Sequence, residues 1–230
     1  MTTTDLLQEL ESLGTAQNRK IYTRHGVTDP MFGVSYGNQD KLAKRIRKEG
    51  DTGLATELWE SGNHDAKVLA TKILDPATLT QTTANTLVRG VTHSLQGSGL
   101  AAVFAETAFA AKLADKWIAA DPKRSHWKVY SGWALIASMA IAKKHHLDIA
   151  DTWFSTHLTT IENSIHQAPN DIRDQMNSTL IAIGSRNEAL RDKAIAKAKK
   201  IGPVEVDHGE TSCQTPDAVS YIKKVWDRRK

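Results

Sequence analysis

The chain has 230 residues, 40% of them apolar and 24% charged, which excludes a disordered or fibrous chain and allows a core without metal or cross-links. Its one cysteine, Cys213, excludes an intrachain disulfide and suits a reducing, cytoplasmic setting, and no run of ~18 apolar residues offers a membrane helix. A net charge of +4 and a pI near 9.1 exclude a strongly acidic protein and point mildly to a polyanionic partner.

Residues 1–13 carry Asp5, Glu9 and Glu11 and lack the basic start and apolar run of a secretory signal. They predict a helix over 4–13, stopped by Gly14, and a second helix over 16–25 ends at Gly26. A loop with Asp29-Pro30 and Phe32-Gly33-Val34 leads into a basic helix over 38–48, closed by Gly50. Helices over 52–59 and 64–74 come next, the latter with Ala66, Leu69, Ala70, Ile73 and Leu74 as an apolar stripe. After the Asp75-Pro76 break, helices are predicted over 78–91, 100–120, 127–145, 149–166, 171–184 and 188–201. Pro122, Pro169 and Gly184 sit at the junctions. The tail has a different texture: an irregular connector over 201–216, then a helix over 217–229 with Thr215-Pro216 as cap and first-turn proline. Tyr221, Ile222 and Val225 would dock that helix and leave Lys223, Lys224, Arg228, Arg229 and Lys230 solvated.

Strand-like runs are missing, and helix signals recur every fifteen to twenty residues or so, the spacing of helical repeats. The expected fold is therefore all-α, a curved superhelical stack of HEAT-like antiparallel helix pairs forming one domain over 1–230, with a compact helical bundle as the alternative.

Positive charge recurs on helix faces. Lys193, Lys197 and Lys200 share one face, with Arg191 and Lys199 close by, and they read either as a row of phosphate contacts or as a solvated surface. Lys41, Lys44, Arg45 and Lys48 form a second such face. Trp127, Tyr130 and Trp133 recur at intervals of three on one helix flank; Trp133 reads as core, whereas Trp127 sits beside Lys123, Arg124 and Lys128 and can border a DNA cleft. The segment DHGETSC over 207–213 offers ligand-type side chains but matches no zinc spacing, so it reads first as a polar connector and no metal is expected. His145-His146 and the scattered histidines show no sustained ligand spacing. Ser98, between Gly97 and Gly99, has no strand before it and is no nucleophile elbow.

Three segments in chain order carry a resemblance: FGV (32–34) with the helix QDKLAKRIRK, LWESGNHDAKVLATKIL (58–74), and KWIAADPKRSHWKVYSGWALIA (116–137). Across roughly 15–200 the chain resembles the DNA alkylation repair (AlkD-like) family of HEAT-like repeat proteins. The resemblance implies a C-shaped stack whose basic concave face holds duplex DNA. It also implies excision of cationic alkylated purines, in which a carboxylate stabilises developing positive charge on the sugar and aromatic faces favour the cationic base. The family's Trp-Trp-Asp-x-x-Asp-like run, however, aligns with THSLQGSGLAAV (92–103), placing the catalytic carboxylate position near Gly99 and the tryptophans near Ser94 and Leu95. The family's central arginine aligns with Tyr130, and its later tryptophan has no counterpart in MNSTLIAIG (176–184).

The expected protein is thus a monomer without cofactor that binds duplex, damaged or branched DNA and lacks ordinary alkylpurine glycosylase chemistry. Its DNA-binding residues would be Lys123, Arg124, Trp127, Lys128, Tyr130, Arg186, Arg191, Lys193, Lys197 and Lys200. The alternatives are a glycosylase using a relocated carboxylate, with Asp207 and Glu210 as candidates, and a helical scaffold that binds protein.

Overall fold

The computed structural model describes residues 2–50, 53–142 and 149–229. Among them every regular element is helical, and the only β-type pairing is an isolated bridge between Gly14 and Val34. No helix of the described residues is long and apolar enough to cross a membrane. The chain divides into two compact units, the first comprising 1–107 with 209–211 and the second 108–208 with 212–230.

The first unit holds α1 (Thr3–Leu13), α2 (Ala16–Arg24), α3 (Tyr36–Glu49), α4 (Leu54–Glu60), α5 (His64–Ile73), α6 (Gln81–Arg89) and α7 (Ser94–Phe104). Thr2, Thr15, Ser35, Asn63 and Thr80 each place a side-chain oxygen on an amide of the first turn, which explains why the starts of α1, α2, α3, α5 and α6 lie where they do. The organising group is Asp65, fully buried at the start of α5. Its carboxylate accepts the amides of Phe32, Gly33 and Val34 at 2.7, 2.9 and 2.9 Å, so the FGV loop is folded around one buried anion. Gly33 has φ +81°, and a Cβ there would lie 2.6 Å from the Thr15 carbonyl oxygen, so no other residue fits. A second buried charge, Lys67, pairs with Asp29 at 2.9 Å and donates to the Gly90 carbonyl.

The second unit holds α8 (Ala110–Ile118), α9 (His126–Ile141), α10 (Asp151–Ser164), α11 (Asn170–Gly184), α12 (Glu188–Ile201) and α13 (Ala218–Asp227). Its stacking is readable from hydrogen bonds. Contacts from α9 to the α11 strip run His126 to Asp171, Thr179 to the Trp133 carbonyl, and Arg186 to the Met139 carbonyl, from first turn to last. Those two helices therefore lie parallel and in step. In the same way Asp151 meets Asn187, Ser155 meets Lys193 and Glu162 meets Lys197, so α10 and α12 are also parallel. Helix pairs repeated side by side in one sense are the arrangement of a HEAT-like stack.

Three expectations need correction. The single helix predicted over 100–120 is two helices, α7 and α8. Thr107 breaks the run by turning its hydroxyl back to the Phe104 carbonyl at 2.8 Å, without glycine or proline. The start of α7 moves back to Ser94 because the His93 ring nitrogen accepts the Leu95 amide. In the last helix Asp217, not Thr215, is the cap, and docking falls to Ala218, Ile222 and Trp226 while Tyr221 stays exposed. The predicted start at Thr52, the end of the 127–145 helix with His145-His146, and Lys230 lie outside the described residues.

Candidate nucleic-acid interface

The start of α9 gathers five of the expected DNA-binding residues. Asp121 accepts the Lys123 amide at 2.9 Å and turns the chain so that Lys123 and Arg124 are exposed ahead of the helix. Arg124 is 89% exposed and only loosely tied to Asp121, at 3.8 Å. The α9 N-cap, Ser125, makes no side-chain bond to the first turn, so the amide end of a sixteen-residue helix adds its partial positive charge to the lysines. Trp127 and Lys128 are half-buried, and the Trp127 ring meets Tyr130 edge-on at 5.5 Å between centroids. Tyr130 and Trp133 are both buried, so the aromatic line runs from the surface into the core.

Sequence reasoning missed the acidic side of this cluster. His126 packs edge-on against Trp127 at 4.9 Å, and its Nε2 lies 3.0 Å from Asp171 Oδ2 in the first turn of α11. One turn on, burial pushes the Asp174 carboxyl above the ordinary carboxylate range, with Asp171 adding to the rise and His208 opposing it. An acid in a helix's first turn is a usual dipole partner, and for that reason Asp171 did not stand out. The connector closes over this end of α11: Asn170 and Asp207 exchange side-chain-to-main-chain bonds at 2.8 Å, Arg173 donates to the Glu205 carbonyl, and His208 meets the Thr215 hydroxyl at 2.9 Å. Asp207 and Glu210 are both exposed.

The α12 cations lie elsewhere. Lys193 donates to Ser155 on α10, Lys197 pairs with Glu162, and Lys200 lies 3.6 Å from the same carboxylate. These two lysines hold the Glu162 carboxyl below its ordinary range. Arg191 bonds Asp192 at 2.8 Å and stacks on Trp226. Arg186 is nearly buried, stacked on Phe154 and donating to the Met139 and Ala140 carbonyls at the end of α9. Among the described residues no group of three or more metal-ligating side chains could hold an ion.

In the first unit, Gly99 sits where α7 crosses α5. A Cβ built there would stand 2.5 Å from the Thr71 hydroxyl and 2.9 Å from the Thr71 Cβ. This position has no room for any side chain.

Residues 6–222 match the family model described as DNA alkylation repair enzyme. The chain belongs to that family. Similar relatives include an uncharacterized protein of Listeria innocua, 30% identical over 96% of this chain and 95% of its own length. Another is an uncharacterized protein of Listeria monocytogenes, 29% identical over 96% of both chains. A solved structure aligned over all of this chain and 95% of its own, with a TM-score of 0.86 and 29% identity, represents a new family of proteins related to the HEAT-like repeat DNA glycosylases with affinity for branched DNA structures. The all-α, HEAT-like character expected from the sequence is that of the DNA alkylation repair family and of this neighbour. Of the two positions at which the sequence resemblance expected the catalytic carboxylate and the central arginine, Gly99 is crowded and Tyr130 is buried.

Proposed function

We propose that this DNA alkylation repair family member holds duplex or branched DNA on a basic face of its second unit, centred on the start of α9, without excising alkylated purines through position 99. The observation that carries the binding reading is the grouping of exposed Lys123 and Arg124 with half-buried Trp127 and Lys128 at an uncapped helix start. Lysine and arginine there release counterions from the phosphate backbone, and the half-buried Trp127 offers an aromatic surface for a sugar or an unstacked base. The affinity of the structural neighbour's family for branched DNA supports the same reading. For position 99 the support is steric, because a carboxylate there would displace Thr71 rather than reach DNA.

The test is a salt titration of binding to a labelled linear duplex and a four-way junction. A log K that falls steeply with log salt, and less steeply after Lys123→Glu with Lys128→Glu, agrees with the proposal. No measurable binding at low salt rejects it. A monomer at micromolar concentration in light scattering is the expected assembly.

A second reading keeps the enzyme with a relocated acid. Asp174, half-buried on the helix that carries Asp171 against His126, supports it better than exposed Asp207 or Glu210. Release of N3- or N7-methylated purine from treated DNA, abolished in Asp174→Asn, would establish this reading. Release at the spontaneous rate would remove it.

A further inference from the structure

Exposed positive charge outside any salt bridge among the described residues is found on α13 as well as at the start of α9. On α12, Lys197 and Lys200 share Glu162, Lys193 is held by a hydroxyl, and Arg191 is bound by Asp192. On α13 and just after it, Lys223, Lys224, Arg228 and Arg229 are all exposed, and none forms a salt bridge among the described residues. A groove of about 490 Å³ runs between the two helices, lined by Arg191, Lys223, Trp226 and Arg229 together with Glu188 and Asp227.

Trp226 organises this groove. Its indole N–H donates to the Gly184 carbonyl at 2.9 Å, fixing the ring against the end of α11. The guanidinium carbons of Arg191 and Arg229 lie 4.9 and 4.8 Å from the ring centre. A guanidinium held over an indole loses little further entropy when it grips an oxyanion, and Arg191, whose Nε donates to Asp192, retains its Nη donors for that purpose. Two such groups, one from α12 and one from the turn that follows α13, with Lys223 lining the same groove, suit phosphate oxygens. Glu188 and Asp227 on the same rim disfavour an acidic partner that could not keep its charges at spaced positions, as a phosphodiester backbone does.

We infer that the α12–α13 groove is a second DNA-backbone surface, with Arg229, Lys223 and the Trp226-stacked Arg191 as its phosphate contacts. It rests on the DNA-binding reading above and adds a site at the opposite end of α11. From Asp171, beside the α9 site, to Gly184, beside Trp226, a helix rises about 20 Å at ~1.5 Å per residue, a length that covers roughly six base steps.

The experiment compares the full chain with Lys223→Glu plus Arg229→Glu, and with the milder Lys223→Gln plus Arg229→Gln, on a labelled four-way junction and a linear duplex across about 50–200 mM salt. Circular dichroism and thermal melting confirm that each variant folds as the parent does. The expected result is a log K–log salt slope smaller by about two and at least a tenfold loss of junction affinity near 100 mM salt for the charge reversal, with a smaller loss for the neutral pair. Unchanged slope and affinity in both variants, with the parent binding normally, overturns this inference and leaves the α9 site standing. Absence of binding by the parent overturns the DNA reading itself and the groove with it.

Discussion

The Thr179 hydroxyl on α11 lies 2.9 Å from the main-chain oxygen of Trp133 on α9, and 2.7 Å from that of Gln175 one turn back in its own helix. One fully buried hydroxyl thus sets the register of two stacked repeats. Thr179→Val keeps the shape and removes the polar tie, so the protein should lose about 1 kcal/mol of stability. Urea unfolding followed by far-UV circular dichroism measures this, and an unchanged midpoint would refute the register role.

Asp65 should be far less replaceable. Its carboxylate satisfies three amides of the FGV loop, and in Asp65→Ala the buried Gly33 and Val34 amides and the part-buried Phe32 amide lose their acceptor. At ~1–3 kcal/mol per orphaned group, the variant should lose several kcal/mol or fail to fold. Expression and thermal melting decide it; a melting temperature near that of the parent would show that water replaces the carboxylate.

Placing an acid at position 99, where the sequence resemblance expects the catalytic carboxylate, should not confer excision chemistry. In Gly99→Asp the new Cβ meets Thr71 at 2.5 Å and forces α7 from α5, which costs at least about 1–3 kcal/mol. A variant that folds with the parent's stability and releases methylpurine faster than spontaneous loss would contradict the packing argument.

Removing Glu162 tests whether the α12 lysines are available to DNA. Glu162→Gln frees Lys197 and Lys200 from their shared carboxylate. Binding to duplex should tighten and its salt dependence steepen if that face lies near DNA. If neither changes, the lysines belong to the α10–α12 packing alone.

Stability should also fall in mild acid. Burial, with His93 nearby, drops the His64 imidazole from 6.5 to about 4, so the folded protein keeps it neutral while the unfolded chain takes up a proton. The unfolded state therefore gains protons first, and stability is lost as pH falls from 6.5 toward 4. Burial lowers His157 too, against the opposing pull of Asp115, and adds to the same trend. Urea midpoints at about pH 7.5 and about pH 5 should differ less in His64→Gln than in the parent. An equal difference in both proteins would clear His64 of the effect.

Helix positions were legible in the sequence because the signals that place them are local. Thr2, Thr15, Ser35 and Thr80 cap helices within a few residues of themselves, and α12 falls at Glu188–Ile201 as its pattern predicts. The misplaced boundaries at Thr107 and His93 rest on single side-chain bonds to the main chain that carry no periodic signal, so periodicity alone ran through one and stopped short of the other. The aromatic–basic start of α9 was visible for the same local reason, since its members lie within eight residues of one another. Which cations are left over for a partner was not, because charge is cancelled across the fold: Glu162 on α10 pairs with Lys197, 35 residues away on α12. Nor could the sequence show that Gly99 is crowded or that Asp171 faces His126, separations of 28 and 45 residues that only packing closes. Composition and periodicity determined a helical chain and its segments; the stacking of those segments decided which side chains remain free to act.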